Sequence, residues 1–212
     1  MTDQSGKAHY SHWELFKSDF RRYESHYVKA LASPPDGWRR WGVRAYLAFR
    51  TQGIWASADF RFGHWVSTGG PRLLKPLSVV VHLLTEVLTG IGVSHRATVG
   101  PGLYIAHYGN IMVSRHTTIG AGCNIGSGVT LGYGMGSVGR GGPTVGDAVF
   151  IAPGAKVFGP VNIGSGAIVG ANAVVTGDVP DNAVVAGVPA KVIRILDPED
   201  RAKGGYASVG LD

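Results

Sequence analysis

An aliphatic residue recurs every six positions through the second half of this chain. The series begins at Val93, Val99, Ile105 and Ile111, slips by two, and continues at Val113, Ile119, Ile125 and Leu131. After a longer interruption it resumes at Val145 and runs through Ile151, Val157, Ile163 and Val169 to Val175. Strands repeat with period two and helices with period 3.6, so a sustained period of six belongs to neither. It fits a β-helix of hexapeptides, in which each unit makes one short flat face and turns its aliphatic residue into a narrow interior. Three faces close a triangular coil of roughly 18 residues. Glycine follows many of these positions, as in Val99-Gly100, Ile119-Gly120, Ile125-Gly126, Val145-Gly146 and Ile163-Gly164, which suits tight corners where a Cβ would clash. The two breaks in phase predict loops that leave the coil, a short one at 110–113 and a long one at 133–144. Loops that interrupt a rigid repeat tend to carry function.

The first half has a different character. All five tryptophans lie before residue 66, whereas most of the 33 glycines lie after residue 90, so a domain boundary is placed at 90. Residues 12–32 carry Leu15, Phe16, Phe20, Tyr23 and Tyr27 near helical spacing, ahead of a break at Ser33-Pro34-Pro35-Asp36-Gly37. Residues 38–66 read as one or two further helices and 73–88 as another. The expected fold is therefore mainly β: a parallel β-helix over 91–195, an α-helical N-terminal region over 1–90, and a tail over 196–212.

Charge and composition narrow the function. The net charge is +6, but the basic residues are scattered, with only short pairs at Arg21-Arg22 and Arg39-Arg40. A nucleic-acid binder would show a basic stripe, so the excess reads as helix surface plus a few phosphate contacts. Cys123 is the only cysteine, which excludes an intrachain disulfide and fits a cytoplasmic location. The N-terminus MTDQSGKAHYSHWE has no apolar core of a signal peptide. Lys75, Pro76, His82 and Glu86 interrupt the most apolar stretch, 73–91, so neither a spanning helix nor membrane association is expected.

The second half resembles the hexapeptide-repeat acyltransferases, and among them the serine acetyltransferase branch and its relatives in polysaccharide biosynthesis. The segments that carry the resemblance are GPGLYIAHYGNIMV (100–113), NIGSGVTLGYG (124–134), GGPTVGDAVFIAPGAKVFGPVNIG (141–164) and IVGANAVVTGDVPDNAVVAGVPAKVIR (168–194), with a weaker one at LFKSDFRRY (15–23). The resemblance implies a left-handed coil, a homotrimer, active sites in clefts between subunits, and acetyl transfer from acetyl-CoA to a hydroxyl. A dimer of trimers through the N-terminal helices stays open. His107 matches the family's catalytic histidine, and a neutral imidazole suits the task of taking a proton from an attacking hydroxyl. Ala152, Pro153 and Ala171 match positions where small side chains let a pantetheine arm lie along the coil. Thr176 and Gly177 match a later contact stretch, and Lys191 and Arg194 match basic positions near the nucleotide phosphates. Tyr133 and Arg140, in the long loop, are candidate contacts to the acceptor.

The pattern also departs from the family. Gly92 stands where a carboxylate pairs with the catalytic histidine, Ala106 replaces an aspartate, and Gly141-Gly142 replace an Arg-His pair. Serine is a zwitterion and needs a group of each sign, so both serine and a sugar hydroxyl stand as acceptors. Glu86 is a candidate to orient His107. Two other classes compete: a non-catalytic trimeric scaffold, and a metal enzyme similar to the γ-class carbonic anhydrases. The spacing of His95, His107 and His116 does not match the ligand set of the latter, so no metal is expected.

Overall fold

The computed structural model describes residues 10–29, 37–135, 139–197 and 199. Most of the expected break at 33–37, part of the long loop and most of the tail lie outside them. The helical region comprises α1 (His12–Lys29), α2 (Gly37–Arg50), α3 (Gln52–Thr68), a 3-10 turn (Arg72–Leu74) and α4 (Lys75–Thr89). Ser11 and Glu14 begin α1 with a reciprocal capping box: the Ser11 N–H donates to the Glu14 carboxylate at 2.7 Å, and the Glu14 N–H to the Ser11 hydroxyl at 3.2 Å. Gly90 ends α4 in the left-handed conformation, with φ of 65°.

A parallel β-solenoid follows, with three sheets as the faces of a prism. The first face stacks β1 (Ile91–Val93), β4 (Ile111–Val113), β7 (Thr130–Gly132), β10 (Lys156–Phe158) and β13 (Val174–Val175). The second stacks β2 (Thr98–Val99), β5 (Thr118–Ile119), β8 (Thr144–Val145) and β11 (Asn162–Ile163). The third stacks β3 (Tyr104–Ile105), β6 (Asn124–Ile125), β9 (Phe150–Ile151), β12 (Ile168–Val169) and β14 (Ala183–Ala186), and ends in β15 (Lys191–Ile195). Partners such as Val113 with Leu131 and Val157 with Val175 sit one 18-residue coil apart. The aliphatic rungs are almost wholly buried and form one continuous core, closed at its upper end by Ala56 and Phe60 of α3.

The register corrects one expectation. Ile111 pairs with Ile91 and Val113 with Val93, so the two extra residues lie between β3 and β4, at 106–110, and not at 110–113. Ile111 and Val113 both point inward and Met112 outward, which is ordinary strand alternation. The last coil is tighter by two residues, since Val169 pairs with Val185. The chain then reverses, and β15 lies antiparallel on β14.

Glycine has a specific task where the second face turns into the third. Gly100, Gly120, Gly146 and Gly164 stack in a column there. A Cβ on Gly100 would lie 2.8 Å from the Gly120 carbonyl carbon, and one on Gly120 would lie 2.7 Å from that of Gly146. The coils stack that closely because the corner has no side chain.

The first coil has no coil above it, so its upward-facing backbone groups need partners. Side chains of α1 and α3 supply them. The Tyr23 hydroxyl accepts from the Ile105 N–H at 2.9 Å and donates to its carbonyl at 3.3 Å. Arg22 donates to the Gly102 carbonyl at 2.9 Å. Asp19 accepts from the Leu103 N–H at 2.9 Å and pairs with Arg61 through two bonds of 2.8 and 3.1 Å. Arg61 also donates to the Val99 and Gly100 carbonyls at 2.7 and 2.6 Å. Among the described residues, no helix is long and apolar enough to cross a membrane.

Candidate active site

His107 sits on the short loop between β3 and β4, at the edge where the third face turns into the first. The loop is pinned on both sides. The Gly109 N–H donates to the Thr89 carbonyl and the Ile111 N–H to that of Gly90, both at 3.0 Å, while the Gly109 carbonyl accepts from the Gly128 N–H at 3.0 Å. Gly109 and Asn110 have φ of 95° and 54°, which permits the tight return. The imidazole stands exposed outside the coil.

The register places four residues in a column below His107. Ile105, Ile125, Ile151, Val169 and Val185 pair in succession down the third face. Two residues after each come His107, Ser127, Pro153, Ala171 and Gly187. Apart from His107 itself the column is small-sided, and Ala152 is buried just inside it. Lys191 pairs with Ala186 beside the foot of the column, and Arg194 pairs with Val184 further along β15. Five strand steps, from β3 to β15, at about 4.8 Å each put the Lys191 level roughly 24 Å below that of His107.

The other candidates lie elsewhere. Thr176 and Gly177 directly follow β13, and Tyr133 directly follows β7, so all three lie at the edge between the first and second faces. The long loop leaves from that edge as well, with Arg140 exposed on it and an antiparallel bridge between Gly134 and Gly141. Within one chain, the first face therefore separates His107, Pro153, Ala171 and Lys191 from Thr176, Gly177, Tyr133 and Arg140. Among the described residues, no single pocket joins His107 to the long loop within one chain, because the two loops leave the coil at opposite ends of a first-face strand.

This second edge carries its own polar groups. A groove of about 510 Å³ beside the upper coils is lined by Glu86, Ser94, Arg96, Ser114 and Arg115, among others. Glu86 turns toward Gly92, where a Cβ would lie 2.6 Å from its carboxylate. A glycine at 92 thus leaves room for a carboxylate delivered from α4, and Glu86 does not pair with His107 among the described residues. The His116 and Tyr133 rings lie 4.8 Å apart, and Arg115 donates to the His116 ring at 3.0 Å. A side chain on Gly142 would run into the backbone of His116. The Arg115-His116 pair therefore stands beside Gly142 of the long loop. The sequence weighs His116 only as a metal ligand and gives no sign of Arg115, because both occupy an ordinary corner, and only the stacking of coils brings them to the loop. Burial pushes the Cys123 thiol up to about 11, so it takes no part in chemistry near neutral pH.

No protein-family model matches the sequence. Among curated proteins, the serine acetyltransferase of Mycobacterium tuberculosis is 42% identical over 153 residues, which are 72% of this chain and 65% of that protein. The serine acetyltransferase of Helicobacter pylori is 40% identical over 165 residues, 78% of this chain and 92% of that protein. A solved serine acetyltransferase in complex with CoA superimposes with a TM-score of 0.70 at 26% identity, covering 86% of this chain and 70% of its own. The chain thus spans somewhat less than two thirds of the Mycobacterium tuberculosis relative.

Proposed function

This chain belongs to the serine acetyltransferase family, and from that premise we propose that it transfers an acetyl group from acetyl-CoA to a hydroxyl, with His107 as general base. The observation that carries the reading is the column of small residues running from His107 to Lys191. An extended pantetheine arm fits along Ser127, Pro153 and Ala171, with the thioester at the imidazole and the nucleotide phosphates near Lys191 and Arg194. The CoA complex of the related structure supports the same donor.

The imidazole of His107 takes the hydroxyl proton as the acceptor oxygen attacks the thioester carbonyl. The tetrahedral oxyanion is held by a backbone N–H. On collapse the C–S bond breaks, the imidazolium returns its proton to the sulfur, and the products are an acetyl ester and free CoA.

Serine is the acceptor that the second edge favours over a sugar. Glu86 offers an anion for an ammonium group, and Arg96 and Arg115 offer cations for a carboxylate, all around one groove. For acceptor and base to meet, the second edge of one copy must face the His107 edge of the next. Three copies closing head to tail satisfy this, each using its His107 edge once and its second edge once. The outer face of α4 supports such packing, since Leu77, Val80, Leu84, Val87 and Leu88 are 50–74% exposed.

The test is CoA release from acetyl-CoA with L-serine and a set of sugars as acceptors. Buried Cys123 leaves a thiol reagent to report CoA alone. His107→Ala should lower turnover a hundredfold or more while CoA still binds. Near-normal turnover in that variant removes the mechanism, and a fully active monomer on sizing removes the shared site.

A further inference from the structure

Asp59 of α3, His82 of α4 and His95, in the corner after β1, converge away from the acetyl-transfer column. The Asp59 carboxylate meets His82 Nδ1 at 2.7 Å through one oxygen and His95 Nε2 at 3.2 Å through the other. The two imidazoles lie 4.4 Å apart between centroids, tilted by 56°. The donor atoms of all three side chains fall within 4.8 Å of one another. We propose that Asp59, His82 and His95 bind one divalent transition-metal ion of the zinc type, which clamps α3 and α4 onto the first coil of the solenoid.

Three observations carry this. The donor set is two imidazoles and one carboxylate, a combination that zinc-type ions accept with a fourth position left for water. A tetrahedral ion with bonds of about 2.0–2.1 Å spaces its donors by roughly 3.3 Å. The carboxylate–His95 separation already matches, and the carboxylate–His82 separation needs to open by about half an ångström, which a rotamer adjustment supplies. Second, the position of the His95 ring is built into the helix beneath it. A Cβ on Gly63 would overlap that ring, so α3 accepts a glycine in its interior where the imidazole packs. Third, the cluster opens on the groove that His82 and His95 share with Glu86 and Ser94, which gives water and ion a way in. Glu86 lies one turn after His82 and adds negative charge at that mouth.

The test uses the full chain, stripped with a chelator and titrated with Zn²⁺ by calorimetry and with Co²⁺ by visible absorption. One ion per chain with micromolar or tighter affinity is expected, with the intense visible bands of tetrahedral Co²⁺. Melting should rise by roughly 5–10 °C at a hundredfold excess of Zn²⁺ over its Kd. His82→Ala and His95→Ala should abolish the site, whereas His107→Ala and His116→Ala should leave it intact. If the first pair fails to fold, X-ray absorption on the Zn²⁺-loaded wild-type chain decides by its two imidazoles and oxygen donors. Sub-stoichiometric binding, affinity weaker than millimolar, or binding that survives loss of both histidines overturns the proposal and leaves a hydrogen-bonded triad only.

Discussion

Replacing Arg61 by Met tests whether helix side chains hold the open end of the solenoid. The Arg61 and Asp19 side chains are 3% and 1% exposed. Methionine fills the space but deletes two charge-assisted bonds to Asp19 and two bonds to backbone carbonyls. Asp19 keeps the Leu103 N–H and the weaker field of Arg22, yet its buried charge loses the counter-ion it is hydrogen-bonded to. Breaking a buried pair from one side costs ~3–5 kcal/mol. For a chain of this size that corresponds to a melting shift of roughly 6–20 °C. The variant with both Asp19→Leu and Arg61→Met should lose clearly less than the sum of the two single variants, because neither leaves the other's charge stranded. The assay separates the two regions. All five tryptophans lie in α1, α2 and α3, so fluorescence follows the helices, while circular dichroism in the strand region follows the coils. Fluorescence should move to lower denaturant by more than dichroism does. A loss under about 1 kcal/mol, or a coupling near zero, would falsify the capping role.

Three further outcomes follow from particular contacts. Ala171→Trp fills the small-sided column and should raise the KM for acetyl-CoA about tenfold, ~1.4 kcal/mol, with little change in kcat; unchanged KM in steady-state assays argues against a donor lying there. Gly120→Ala sets a Cβ against the Gly146 carbonyl carbon at 2.7 Å and should cost ~1–3 kcal/mol in chemical denaturation; a neutral or stabilising result contradicts the close-stacked corner. Burial alone would raise the Glu24 carboxyl, but Arg40 and Arg44 outweigh it and hold it below the usual carboxylate range. A depressed folded value gives stability that is present above the ordinary value and lost as pH falls through the folded one, so acidification below about pH 4 should release α2 from α1. Fluorescence of Trp38 and Trp41 should report that step, and an identical titration in Glu24→Gln would remove the cause.

The rung residues made the solenoid legible because a buried aliphatic every six positions has one structural meaning. Ile111 misled the phase, since a three-residue strand buries both ends and makes Ile111 look like a rung while Val113 is the true partner of Val93. The antiparallel β15 was invisible, because its residues are exposed and carry no inward pattern. His107 and the small residues of the donor column could be placed from motif and period together. What could not be placed was the separation of Thr176 and Tyr133 from them, which depends on the corner each occupies. The capping contacts of Asp19, Arg22, Tyr23 and Arg61 gave no signal, because the backbone groups they satisfy lie 38 to 84 residues away. The Asp59, His82 and His95 grouping left only a trace, as two polar residues in helices and a third in a corner of the first coil.

A ladder of like rungs has no natural last member, and an uncovered terminal rung is a template for indefinite end-to-end growth. Here the two termini of the ladder are sealed by unlike chemistry, helix side chains above and a reversed strand below, and neither seal depends on how many rungs lie between. Evolution can therefore splice whole turns in or out of the middle, resetting the span available to a long cofactor without redesigning either end.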